Sequence, residues 1–257
     1  MPEKAIVAFI DILGYGNIVK DCKNEIEVAK SLENLMIKTL QMFKKVKDVS
    51  IANAEAEFYR NKIIEHIKIK YISDTFLFTL QPTTLHDDKL KHHDNVLMCM
   101  WLYFQFISML CPRIMGKTGL ILRGGISIDT HYENEFDGNL FIFSKAYNNA
   151  YNAQKKETAR IVIDDKLLSY LKETSYLAEY PEFFYEDDDK KLCFDFYCLL
   201  RSDDESKKVI SDIKEGILAN IHKYKNDSDA ISKLKYFVKY HNKKIKELKL
   251  NDLVISI

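Results

Sequence analysis

The chain alternates between apolar runs of strand length and longer stretches with helical spacing. Ala5–Leu13 is apolar, rich in Ile, Val and Phe, and bounded by Gly14, which predicts a central strand. Glu25–Val46 carries Ile26, Ala29, Leu32, Leu35, Met36, Leu40 and Phe43 at three-four spacing, a helix with a polar outer face. Ile63–Leu80 alternates around Lys68–Ile72, breaks at Ser73-Asp74 and resumes as an apolar run: strand, tight turn, strand. Asp87–Cys111 reads as a long apolar helix, and Thr118–Ile128 as a strand with a double glycine. Ser144–Glu157 is predicted helical, Arg160–Ile163 a short strand, and the segment after Asp164 a helix carrying Leu167, Leu168 and Leu171. Phe183–Tyr185 and Leu192–Leu199 flank the turn EDDDKK as a hairpin, and two amphipathic helices follow, about Glu205–Tyr224 and Ser228–Glu247.

The order is β-α-β-β-α-β followed by further helices and strands. It predicts an α+β, ferredoxin-like core with extra C-terminal helices. Four prolines, eight glycines and no linker-like tract argue for one domain over 1–257, with a core of about 5–200 and a helical extension from about 203. In that topology the first and third strands are neighbours, so Asp11 at the end of one and Asp74 at the start of the other can meet.

Composition narrows the partners. Lys+Arg and Asp+Glu are both 38, so no global basic excess argues for long nucleic acid or an anionic membrane, and any phosphate site must be local. Five cysteines without a CxxC pair fit reduced cytoplasmic thiols better than a disulfide framework or a zinc cluster. The start MPEKAIVAF lacks the order of a signal peptide. Val96–Cys111 is short for a spanning helix and contains Gln105 and Ser108, so it reads as a helix of the core or of a subunit interface. A cytoplasmic protein without membrane insertion is expected.

Asp11 is a lone carboxylate in an apolar run, and burying it is costly unless something pairs with it or coordinates it. Two carboxylates converging at strand ends beside a glycine-bearing turn suit Mg²⁺ or Mn²⁺, which take oxygen ligands and keep phosphate oxygens in their shell. Backbone N–H groups of the Gly14-Tyr15-Gly16 turn would face phosphate. The competing reading is plainer: Asp11 caps the turn after it, and Asp74 sits in an ordinary β-turn.

The segments FIDILGYG, IKYISDTFLF, LRGGISI and FSKAYNNAYNAQKKETARIVID together resemble the class III nucleotide cyclase catalytic domain. More narrowly they resemble the pyrimidine cyclases of bacterial Pycsar antiphage systems, over roughly residues 5–200. The resemblance implies that Asp11 and Asp74 bind metal with the Ile12 carbonyl as a further ligand, two Mn²⁺ or Mg²⁺ per site. It implies that Leu13, Gly14, Tyr15 and Gly16 hold the triphosphate. Lys70 falls where purine cyclases carry a base-contacting lysine, and Phe141 where they carry the acidic reader of the adenine amino group. Asn148 matches the ribose-orienting Asn, and Asn152 replaces the arginine that stabilises charge in the transition state.

Loss of the purine code is what a pyrimidine cyclase would show. The missing arginine leaves a charge to be supplied, with Arg123, Lys70 and the Lys190–Lys191 pair as candidates; for Arg123 a strand-end salt bridge is the alternative. Tyr147 and Tyr151, four apart on one helix face, read as packing ahead of a base platform. The resemblance implies a homodimer with composite active sites and a product, cyclic UMP or cyclic CMP, read by a separate effector. A purine cyclase, which Lys70 favours, and a non-catalytic cyclase-like domain, which Asn152 favours, are the other readings.

Overall fold

The structure is a computed structural model that describes residues 3–13, 66–72, 74–82, 92–154 and 159–256, with 26–27, 29–30, 33–34, 37–38 and 41. Its strands are β1 (Glu3–Ile12), β2 (Lys68–Ile72), β3 (Thr75–Leu80), β4 (Leu122–Phe136), β5 (Asn139–Ser144), β6 (Ile161–Ile163), β7 (Phe184–Glu186) and β8 (Leu192–Phe194). The main helices are α1 (His92–Thr118), α2 (Lys145–Gln154), α3 (Asp165–Glu173), α4 (Asp204–Lys223) and α5 (Ser228–Glu247). Most of the predicted Glu25–Val46 helix lies outside the described residues. Those of it that are described are helical and exposed, among them Glu27, Lys30, Glu33 and Lys38.

One sheet runs β2-β3-β1-β4-β6-β8-β7, with β5 paired to the outer half of β4. Its first four strands stand in the ferredoxin-like order, and β1 pairs antiparallel with both β3 and β4, as the element order predicts. Side chains alternate along β1. Ile6, Ala8, Ile10 and Ile12 face the main core, where Met100, Tyr103, Phe104 and Ile107 of α1 are fully buried. Val7 belongs to a second cluster on the opposite face, with Leu77 and with Ala146 of α2. Asp11 has the parity of Val7 and therefore lies on the α2 face.

Two elements run further than the sequence reading. Helix α1 runs through Pro112 to Thr118. Burial of Ile114 and Met115 beyond the proline outweighs the roughly 3 kcal/mol that proline costs inside a helix. Strand β4 continues eight residues past Ile128, because DTHYENEF alternates and finds a partner in β5. The hairpin turn is Asp137-Gly138, both at positive φ (49° and 74°), the conformation an Asp-Gly hairpin turn adopts.

A window of α1 is long and apolar enough to cross a membrane by length and composition; 72% of it is buried in the protein. Helix α4 packs along it and α5 packs on α4, with Ile210, Ile213, Ile217, Phe237 and Ile245 in the same core cluster. Asp203 and Asp227 cap the two helices by accepting bonds from Ser206 N–H and from Asp229 and Ala230 N–H.

Candidate active site

Asp11 and Arg123 stand directly opposite each other in the β1–β4 register, so both project from the same face of the sheet. The guanidinium donates from Nε to Asp11 Oδ2 at 2.9 Å, and its Nη2 makes an ion-pair contact with the same oxygen at 2.8 Å. Asp74 arrives from the other side. It opens β3 next to β1, and its carbonyl accepts from Ile12 N–H at 3.0 Å. Asp11 faces Thr75, the residue after Asp74, in the β1–β3 register, which places the two aspartates side by side at the same end of the sheet. Burial pushes Asp11 above the ordinary carboxylate range; the Arg123 hydrogen bond pulls it back, and repulsion from Asp74 pushes it up again.

A third contact to Asp11 was not foreseen. Gln154, the last residue of α2, donates from Nε2 to the same Oδ2 at 3.1 Å. The double glycine makes this approach possible. A Cβ on Gly125 would lie 2.1 Å from the carbonyl oxygen of Ala150, and one on Gly124 would lie 2.2 Å from that of Phe9. With no side chain at either position, β4 lies against both β1 and α2. The sequence signal for Gln154 is its spacing: Ala146, Ala150 and Gln154 form the buried face of α2.

The other end of α2 is fixed by a polar chain. Ser144 Oγ accepts from Tyr147 N–H at 2.9 Å and contacts His131 Nδ1 at 2.8 Å. His131 Nε2 lies 3.3 Å from Glu133 Oε2, and Lys68 Nζ lies 3.0 Å from Glu133 Oε1. These are charge contacts at angles poor for hydrogen bonds. Burial alone would raise Glu133, yet His131, Lys68 and the nearby Lys70 hold it down to about 2.

The remaining predicted residues are spread around this centre. Leu13 is described at the end of β1, its N–H on the Ile121 carbonyl at 2.8 Å; Gly14, Tyr15 and Gly16 lie outside the described residues. Lys70 pairs with Glu135 at 2.5 Å. Phe141 is exposed on β5, edge-on to Tyr132. Tyr147 and Tyr151 pack edge-on against Phe9, with ring centres 5.5 and 5.3 Å away. Lys190 pairs with Glu186 at 2.9 Å.

Asn148 and Asn152 are exposed. At 100° per residue Asn152 sits about 200° round the helix from Gln154, so it turns away from Asp11 of its own chain. It borders a cavity of about 390 Å³ shared with Arg160 and Lys191. Arg160 is held there by Asp187 and Asp189. Lys191 stands 3.8 Å from Asp165.

Among the described residues, no three His, Cys, Asp or Glu side chains form a metal cluster. What the centre offers a cation is two crowded carboxylates and one arginine, leaving a net charge of about −1 in an all-oxygen donor set. That fits Mg²⁺ or Mn²⁺ with its shell completed by main chain, water or phosphate.

No family model matches the sequence, and no curated protein matches it. Among solved structures, the chain is similar to the guanylate cyclase domain of RhGC from Catenaria anguillulae in complex with GTP: 15% identity over 74% of this chain and 93% of that one, TM-score 0.41. It is also similar to the adenylyl cyclase CyaB from P. aeruginosa, with 15% identity, 75% and 92% coverage and TM-score 0.38. A third is a class III adenylyl cyclase-like ATP-binding protein from Pseudomonas aeruginosa, with 14% identity, 81% and 40% coverage and TM-score 0.38.

Proposed function

We propose that the protein is a class III nucleotide cyclase that converts UTP to 3′,5′-cyclic UMP and pyrophosphate in the cytoplasm, as an alarm messenger in antiphage defence. The single observation behind this reading is that Asp11 and Asp74, far apart in sequence, are brought side by side, Asp11 facing Thr75 in the β1–β3 register and the Asp74 carbonyl accepting from Ile12 N–H. In the reaction the ribose 3′-oxygen bonds to the α-phosphorus, the bond to the β-phosphate bridging oxygen breaks, pyrophosphate leaves, and the hydroxyl proton passes to water.

Asp11, Asp74 and the Ile12 carbonyl would hold the cation, two Mn²⁺ or Mg²⁺ per site, which when bound supply charge neutralisation at the phosphates and acidify the 3′-hydroxyl. The chain supplies position. Arg123 and Gln154 orient Asp11, and Leu13 leads into the turn proposed to hold the triphosphate. Asn148 orients the ribose. Asn152 stands where purine cyclases place an arginine, and Lys191, which lines its cavity together with Arg160 and Lys166, can offset the loss. Arg123, engaged by Asp11, takes a positioning role in this reading.

Asn148 and Asn152 face outward, away from Asp11 of the same chain, so the catalytic unit is a homodimer in which each protomer completes its partner's site. The exposed apolar residues of the β4–β5 arm, Phe136, Leu140, Phe141 and Phe143, support an interface there. The whole chain acts as one domain, and a separate effector reads the product.

CTP is the alternative substrate, since uracil and cytosine differ by one exocyclic group and one ring proton. A purine cyclase is disfavoured because Lys70, its marker, is engaged by Glu135. Incubating the purified protein with Mn²⁺ and each of the four ribonucleoside triphosphates, then resolving products by mass, tests the reading. Cyclic UMP is expected; cyclic AMP or cyclic GMP as main product, or no product from any, overturns it.

A further inference from the structure

We infer that Gln154 is a positioning residue for the cation site: by holding Oδ2 of Asp11 together with Arg123, it sets how tightly Asp11 and Asp74 grip a divalent cation. The inference rests on the reading of those two aspartates as cation ligands.

Three observations carry it. Both Arg123 and Gln154 bind the same oxygen, Oδ2, which fixes the rotation of the carboxylate and leaves Oδ1 for a ligand shared with Asp74. Gln154 is only 8% exposed, so its amide depends on a protein partner, and the carboxylate is a charge-assisted one. Its own seating is tightly defined, because the backbone of α2 at Ala150 rests where a Cβ of Gly125 would be. A small lift of the helix would part the 3.1 Å bond. Outer partners that orient a metal ligand typically contribute 10–100-fold to metal affinity. Arg123 changes the charge of the site as well as its geometry; Gln154 is neutral, so its replacement isolates orientation.

The test is a Mn²⁺ titration of the full-length protein without nucleotide, counting free Mn²⁺ by its electron paramagnetic resonance signal. Gln154→Met keeps the length and removes the donor. It is expected to weaken Mn²⁺ binding by about 10-fold or more and to alter the spectrum of the bound ion, with a melting temperature near that of the parent. Gln154→Leu, which also lacks the donor in a side chain of similar bulk, is expected to weaken binding in the same direction, and it decides the matter if Gln154→Met fails to fold. Affinity within about twofold of the parent in a folded variant overturns the positioning role. If the parent binds no Mn²⁺, or Asp74→Ala binds it as the parent does, the assignment of the aspartates falls and the inference with it.

Discussion

Asp11 and Arg123 occupy facing positions on β1 and β4, and the two-pronged contact between them, at 2.8 and 2.9 Å, spans the line along which the candidate site is built. The arginine neutralises one of two crowded carboxylates and leaves the other charge for a cation. Replacing Arg123 with Met would strand Asp11 in a largely buried place. Breaking such a pair from one side costs about 3 kcal/mol, or about 5–10 °C in melting temperature for a chain of this size. Adding Asp11→Asn is expected to recover part of that loss. A double-mutant cycle by thermal melting measures the recovery, and strict additivity would mean the two side chains are not coupled.

Asp74 tests the chemistry. Asp74→Ala removes the second carboxylate and relieves the push on Asp11, so the fold is expected to survive with an unchanged circular dichroism spectrum. Cyclic nucleotide formation is expected to fall by about 10³-fold or more. Undiminished product in the variant would remove the proposed mechanism.

The sequence made much of this legible, for identifiable reasons. Asp11 stood out because a charge in an apolar strand needs a partner, and Asp74 because a turn residue opens the strand next to it. The βαββαβ order was readable from period alone. Gln154 was hidden because an amide at a helix end carries no pattern; only its four-residue spacing from Ala150 hinted at burial. The β4–β5 arm was missed because DTHYENEF is polar and its strand character comes from pairing, although Asp137-Gly138 carried the turn signal. The Lys68–Glu133–His131–Ser144 chain spans three strands, and no linear motif announces it.

Gly125 offers a direct probe of the close approach between β4 and α2. Gly125→Ala places a methyl group 2.1 Å from a backbone oxygen of α2, where no flexible side chain can move aside. The helix must lift, at a cost of about 1–3 kcal/mol. Both the thermal midpoint and Mn²⁺ affinity are expected to drop together. A stable variant with parental Mn²⁺ affinity would show that α2 can shift without disturbing Asp11.

Glu133 gives the arm a pH signature. Its carboxyl is held at about 2, below the ordinary 4.5 of a glutamate, by His131 and Lys68 working against burial. A depressed carboxylate contributes stability that is complete above the unfolded value and lost as pH falls through the folded one. Thermal midpoints of the parent are therefore expected to decline from about pH 4.5 toward pH 2 more steeply than those of Glu133→Gln, which lacks the ionisable group. Parallel curves would mean that Glu133 is not the residue responsible.

The composite-site proposal is open to a mixing experiment. In one chain Gln154 touches Asp11 while Asn148, on the same helix, faces outward. A single protomer therefore presents its carboxylates and its asparagines to different places. Asp74→Ala and Asn148→Ala are each expected to be inactive as homodimers, one lacking the cation carboxylate and the other the ribose contact. A heterodimer of the two puts both lesions in one site and leaves the other site whole. Co-refolded or co-expressed in equal amounts, the pair is expected to regain about a quarter of parental activity, since about half the dimers are mixed and each has one intact site. If both variants are dimeric and exchange subunits, yet the mixture stays inactive, the asparagines act within their own chain and the dimer is not the catalytic unit.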